Sequence, residues 1–338
     1  MFTPGVFFRE LRADSTLQAL FGAENIVHYQ TVADSLHFLG SARLFMLESP
    51  LGDSGNEGGY SLCVTRRDWS EAAGFVLPEA FATEPRWRQI ATFFDRWYAG
   101  AICAEPIDGL CLEVDVAGTP PPVPVPSLFF GVELETADET INTIGKGMQV
   151  FEQEISQTQR QLLQALLQNV GPACKGLFVG LMLSRPAAPL RLCTCGADLP
   201  AVLTAIKKIG INTLDGHPDW QEFLQRGLYC SHVDIDIGDT CGAKVGIEVK
   251  FLSAMTVHQQ RKTTHWPDFM EWLVDKGWCM RQKSQAALNW TGGRRYCPDL
   301  FDFTGPAPVI LRSLNHVKLD FLPNRPPQAK VYLRYEIG

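Results

Sequence analysis

Five times along this chain, two runs of alternating apolar and polar residues stand close together, and stretches with helical spacing separate the pairs. The pairs are Arg43–Glu48 with Tyr60–Arg66, Leu110–Val116 with Ser127–Leu134, Gly176–Ser184 with Leu190–Cys195, His232–Ile237 with Val245–Leu252, and Val317–Leu322 with Lys330–Ile337. Between them the spacing predicts helices over Trp69–Ala80 and Pro85–Tyr98, then Ala137–Val150 and Ile155–Asn169. It continues with Leu199–Ile209 and Pro218–Arg226, and ends with Pro267–Lys276 and Cys279–Trp290. The second and fourth pairs also match in sequence, LEVDVAG with SLFFGVE beside VDIDIGD with VGIEVKF. A repeat of this kind limits the chain to architectures built from one supersecondary unit.

The alternation assigns faces. Val233, Ile235 and Ile237 oppose His232, Asp234 and Asp236, and Val331, Leu333, Tyr335 and Ile337 oppose Lys330, Tyr332, Arg334 and Glu336. Helices then cover the apolar face only. Ten such strands left open would expose two edges, and closing the sheet removes them. The expected fold is α/β (α+β): five ββαα repeats closing a ten-stranded antiparallel barrel surrounded by helices, with the polar faces inward. The alternative is an open sheet whose charged face is merely solvated. Residues 1–338 read as one barrel domain, with 1–41 as a helical extension that plugs or braces one end.

Composition supports a large core, at 46% apolar and 20% charged over 338 residues. A net charge of -7 gives no basic footprint for nucleic acid, so small molecules or peptides are the expected partners. No apolar run reaches the roughly 20 residues of a membrane span. The start, Met1 to Leu11, has no secretory signal pattern, and the ten scattered cysteines read as reduced thiols in a cytoplasm.

The polar faces supply the candidates for chemistry. Acids assigned to the lumen are Glu113, Asp115, Glu133, Asp234, Asp236, Glu248, Asp320 and Glu336. Cations are Arg191, Lys250, Lys318, Lys330 and Arg334, with Arg43 and Arg66 at strand ends. Phe129, His232, His316 and Tyr332 add rings. Burying this mixture is costly without partners, and a chamber that binds a charged ligand relieves the cost.

The β-β-α-α order, five times repeated with polar faces inward, resembles the ABBA-type aromatic prenyltransferases, including those that modify cyanobactin-like ribosomal peptides. The resemblance runs from Ala42 to Gly338 and is architectural, without a residue-for-residue motif. It implies a cytoplasmic transferase that moves an isoprenyl group from an isoprenyl diphosphate to a nucleophilic peptide side chain, or to a small aromatic or guanidine acceptor. It also implies a general base among Glu113, Asp115 and Glu248, with Glu113 first. Arg43, Arg66, Arg191, Lys250, Lys318 and Arg334 are the implied diphosphate ligands. Phe129, His232, Asp234, Asp236 and Tyr332 are the implied substrate contacts. Like that family, the chain lacks a DDxxD metal motif. The surplus of acids suggests either a cationic acceptor or Mg²⁺ held against the diphosphate.

Other readings compete. His232-Val233-Asp234 resembles the His-x-Asp pair of pentein enzymes, which act on guanidines, with Cys297 as the nucleophile. His232, Asp234 and Asp236 share a face but stand about 7 Å apart along the strand, too far for one ion without further ligands. A non-catalytic module binding peptides in a natural-product pathway is the reading outside enzymology. The segment Asn289–Arg295 reads as a loop over one barrel mouth.

Overall fold

In the computed structural model, residues 3–337 are described except 41, 43, 54–57, 66–68, 70–75, 104–108, 171–173, 175, 186–189, 197, 216, 227–229, 239–240, 252–264 and 296–308. The strands are β1 (Leu44–Pro50), β2 (Gly58–Val64), β3 (Leu110–Val116), β4 (Ser127–Val132), β5 (Gly176–Leu181) and β6 (Leu190–Cys195). Then come β7 (Cys230–Ile237), β8 (Cys241–Val249), β9 (Gly292–Arg295), β10 (Val309–Phe321) and β11 (Gln328–Ile337). From β1 to β8 each strand pairs antiparallel with the next; β8 then pairs with β10, and β10 with β11. β11 returns to β1, Leu44 facing Glu336 and Pro50 facing Lys330, so ten strands form a closed barrel.

Pairing the strands two by two gives the barrel two unlike ends. Hairpin turns gather at one, and the connections that carry the helices gather at the other. The outward residues are aliphatic or aromatic and lie under the helices; Leu47, Leu62, Leu112, Phe130, Val179, Leu192, Ile235, Ile247, Leu319 and Leu333 are all buried. The Pro85–Tyr98 helix shows how local sequence feeds this packing. Glu84 caps it by accepting from the Arg86 amide, Pro85 occupies its first turn, and Trp87, Ile90, Phe93, Phe94 and Trp97 form its buried stripe. Phe93 and Trp97 then meet Phe130 of β4 at centroid distances of 5.1 and 5.3 Å. Thr136 and Glu139 close a capping box on the Ala137–Gln149 helix. The core therefore lies between barrel wall and helices, which leaves the lumen to polar side chains.

The N-terminal segment covers the part of the wall formed by the fifth hairpin and β1. Its helices Pro4–Leu11, Ser15–Phe21 and Ala23–Ser35 lie over the seam where β11 meets β1. Phe7 and Phe8 pack on the outward rings of Phe45 and Tyr60, Tyr29 donates to the Glu48 carbonyl at 2.6 Å, and Ser49 donates to the Leu20 carbonyl at 3.1 Å. The segment thus sits outside the barrel and does not plug its lumen.

Three local expectations are corrected. Of the helix expected over Trp69–Ala80, residues 70–75 lie outside the described residues, residues 76–78 are not helical, and a five-residue helix, Glu79–Thr83, starts directly after Pro78. β10 begins at Val309, eight residues before the expected Val317, with a register shift between Leu314 and His316. Asn289–Arg295 is not a loop, since Gly292–Arg295 pairs with the first half of β10 beyond the reach of β8. Among the described residues, no helix is long and apolar enough to cross a membrane.

Candidate active site

Side chains on the inner face meet in a cavity of about 270 Å³ that runs from mid-barrel toward the helix end. Ten of the residues expected at the site line it: Glu113, Phe129, Arg191, His232, Asp234, Glu248, Lys250, Lys318, Tyr332 and Arg334. His316 lines it as well. Arg43 and Arg66 lie outside the described residues. Two roomier grooves, about 1020 and 660 Å³, lie outside the barrel; the second takes in Glu133, which is exposed at the end of β4.

Pairing sorts the charges by height. Asp115 is exposed near the hairpin end, where it accepts from Ser184 at 3.0 Å and pairs with Arg185 at 3.2 Å. Asp236 receives a two-pronged bond from Arg191, at 2.7 and 3.1 Å. Lys318 bonds Asp234, and Asp320 lies 3.8 Å from Lys244. Lys330 reaches Glu48 at 2.5 Å, and the Tyr332 hydroxyl donates to the same carboxylate. These pairs form the chamber floor. Burial opposes every charge in it, yet Lys330 and Tyr332 hold Glu48 down to about 2, and Asp234 and Asp320 hold the Lys318 ammonium above its ordinary range.

The expected surplus of acid is therefore not found on the cavity wall. The lining has four cations, Arg191, Lys250, Lys318 and Arg334, against three carboxylates, Glu113, Asp234 and Glu248. Arg191 and Lys318 are committed to acids, and Arg334 leans on Glu336. Lys250 has no ion pair among the described residues, and burial, with Arg334 nearby, lowers its pKa. Among the described residues, Lys250 and Arg334 are the lining cations toward the helix end.

Glu113 differs from the other acids. Its carboxylate accepts from Ser61 at 3.3 Å, and burial, together with the charge of Glu48, pushes its pKa from 4.5 up to about 7. A carboxylate poised there is matched to proton transfer near neutrality. Glu248 lies between two histidines, His232 Nδ1 at 2.9 Å and His316 Nε2 at 3.7 Å. Burial opposes its charge, but the histidines hold it well below the usual carboxylate range. His232 takes the positive charge, while burial holds His316 down to about 4 and keeps it neutral. The two ends of the His-x-Asp-x-Asp strand are thus separated functionally: His232 goes to Glu248, Asp234 to Lys318 and Asp236 to Arg191. This pairing leaves no His232–Asp234 dyad of pentein type, and Cys297 lies outside the described residues. Among the described residues no group of three or more His, Cys, Asp or Glu is arranged to hold a metal ion.

The aromatic wall is broader than the sequence indicated. Phe129 lies over Gly180, where an added Cβ would sit 2.5 Å from the ring, and Phe178 joins it on the next strand. His316 stacks on Tyr332 at 4.1 Å. Glu48 and Phe178 escaped the sequence reading. Glu48 shares its face with Leu44 and Met46, which hide its polarity, and Phe178 sits in a uniformly apolar run. The reduced-thiol expectation is corrected at Cys63 and Cys111. They face each other across β2 and β3, Cα atoms 4.1 Å apart, as a disulfide whose Cys111 lines the cavity.

No known family model matches the chain, and no curated protein resembles it in sequence. Solved structures do. The prenyltransferase PriB in binary complex with product diphosphate superposes with a TM-score of 0.54, at 12% identity over 98% of this chain and 96% of that one. A 6-dimethylallyltryptophan synthase from Micromonospora olivasterospora, in complex with DMASPP and Trp, gives 0.51 at 13% identity over 98% and 97%. The ternary complex of PriB with L-tryptophan and dimethylallyl thiolodiphosphate gives 0.50 at 12% over 98% and 96%. At such identities the likeness is one of fold, and the fold is the ββαα barrel of the ABBA-type prenyltransferases.

Proposed function

We propose that the chain is a prenyltransferase that moves an isoprenyl group from its diphosphate to a nucleophilic acceptor inside the barrel. The observation that carries this reading is Glu113, a carboxyl whose pKa burial and Glu48 push up to about 7, set in a barrel chamber whose helix end is cationic. Lys250 and Arg334 receive the diphosphate and stabilise the negative charge that grows on it as the allylic C–O bond ionises. Arg191 and Lys318 act from deeper positions, already paired, and contribute field more than direct contact. Phe129, Phe178 and Tyr332 turn π-faces or ring edges toward the cavity and shield the allylic cation. Glu113 accepts the proton that the acceptor loses.

A cavity of about 270 Å³ is at the small end for ligand sites. It suits a dimethylallyl donor and a small aromatic or guanidine acceptor, or one side chain of a peptide reaching in. Asp234 and Asp236 are spent on Lys318 and Arg191, and Glu248 on His232, so the reading has turnover persisting after chelation. A cytoplasmic setting is part of the same proposal.

The test is mass spectrometry of products from dimethylallyl diphosphate with a panel of aromatic amino acids, guanidines and peptides. Gain of one isoprene unit on an acceptor supports the reading. Absence of any product, together with no thermal stabilisation by dimethylallyl thiolodiphosphate, overturns it in favour of a peptide-binding module. Lys250→Ala weakens diphosphate binding by on the order of tenfold while leaving the melting temperature in place, because no ion pair among the described residues is broken.

A further inference from the structure

The charged pair Glu48 and Lys330 belongs to the chamber floor and has no part in the transfer described above. Lys330 Nζ lies 2.5 Å from Glu48 Oε1, and the Tyr332 hydroxyl donates to Oε2. Burial opposes the Glu48 charge, but these two donors hold its pKa down to about 2. Glu48 is thus a fixed negative charge across the whole range in which Glu113 exchanges its proton.

The ladder sets that charge beside Glu113. Glu48 on β1 faces Gly59 on β2, and two residues further along the same strands Met46, Ser61 and Glu113 stand in line. Ser61, which donates to Glu113 at 3.3 Å, is uncharged. Gly59 has no side chain, and a Cβ built there would lie 3.7 Å from both Glu48 Oε2 and Glu113 Cγ. The two carboxyl groups therefore flank the same patch of bare backbone, and a like charge so placed favours the protonated form. The other groups facing Glu113 are Ser127, opposite it on β4, Arg191 from β6, Lys318 from β10, Tyr332 from β11 and Asp115 on its own strand. Arg191 and Lys318 pull toward ionisation, but each is paired to an aspartate, and Asp115 adds to Glu48.

We propose that Glu48 is a positioning residue for proton transfer: held by Lys330 and Tyr332, its carboxylate acts on Glu113 across the bare backbone of Gly59. The proposal rests on the reading of Glu113 as the base. In the transfer the acceptor's bond to hydrogen breaks, its electron pair stays with the acceptor, and the proton goes to the Glu113 carboxylate. Glu48 exchanges no proton in the cycle. Lys330 serves Glu48 and not the diphosphate.

The experiment follows the Glu113 carboxyl directly by pH-difference infrared spectroscopy, its band identified by loss in Glu113→Gln. Glu48→Gln keeps an acceptor for the Tyr332 hydroxyl and removes the charge, and it should move the Glu113 midpoint down by about one pH unit. The acid limb of kcat/KM is measured with dimethylallyl diphosphate and the aromatic amino acid, guanidine or peptide that is prenylated in the panel. It should move with the midpoint, making the variant about tenfold faster than wild type at about pH 5, each relative to its own plateau. A merely structural role would lower kcat/KM at every pH instead. Should Glu48→Gln fail to fold with Lys330 unpaired, Glu48→Gln/Lys330→Met removes both charges and should give the same shift. A Glu113 midpoint within about 0.3 pH unit of wild type in these variants overturns the proposal, while a wild-type kcat/KM that breaks at that midpoint leaves Glu113 standing as the base. A wild-type kcat/KM with no break at the infrared midpoint overturns the base reading, and with it the part of Glu48 in the reaction, even where the midpoint shifts.

Discussion

Replacing Glu113 by Gln separates the charge of the proposed base from its shape. In the folded chain, burial and the Glu48 carboxylate hold the Glu113 proton to about pH 7, whereas an unfolded chain releases it near the ordinary value of 4.5. Between these values the folded state binds more protons than the unfolded state, so wild-type stability falls as pH rises across that window. Gln does not titrate, and the stability of Glu113→Gln relative to wild type must therefore climb over the same interval. At ~1.4 kcal/mol per pH unit the full interval is worth about 3 kcal/mol. Partial exposure of Glu113 reduces this to about 2 kcal/mol. Urea unfolding at pH 4.5, 6 and 8 measures the gap. Below pH 4.5 it should be small, and above 7 it should have reached its plateau in favour of Gln. The same variant should lose on the order of 10²–10⁴ in turnover. A stability gap that does not change with pH means the carboxyl is not perturbed, and the assignment of Glu113 as base falls with it.

Three further outcomes follow from the packing. Lys318→Met leaves Asp234 in the chamber floor without its cation and should cost about 3–5 kcal/mol; adding Asp234→Asn should restore most of it, both by urea unfolding. Gly180→Ala places a Cβ 2.5 Å from Phe129 Cε1 and 3.2 Å from Arg191 Cβ, so it should displace the ring and destabilise by about 1–3 kcal/mol, read as a lowered melting temperature. Reducing the Cys63–Cys111 bond, which links residues 48 apart in sequence, should lower stability by up to ~4 kcal/mol and add two titratable thiols to the folded chain.

The barrel was legible because its signals are local. Period-two alternation fixes which face of each strand is polar, and helical spacing over Pro85–Tyr98 or Ala137–Val150 fixes where the chain leaves the sheet. These periodicities belong to neighbouring residues and survive without knowledge of the partner strand. They carried Glu113, Phe129, Arg191, His232, Asp234, Glu248, Lys250, Lys318, Tyr332 and Arg334 onto the inner face, where the cavity now finds them. They did not say which acid meets which base. Asp236 and Asp234 read alike along β7, yet one neutralises Arg191, which stands opposite it on β6, and the other Lys318, which reaches over Gly246 of β8 from β10. Glu48 became part of the site only when β11, nearly three hundred residues away, delivered Lys330 and Tyr332 to it. The apolar seam under the N-terminal helices, the β9 pairing and the Cys63–Cys111 bond arose the same way. The alphabet of faces is written in the sequence, while the charges that remain uncompensated, and hence the chemistry, are decided only when distant strands come into register.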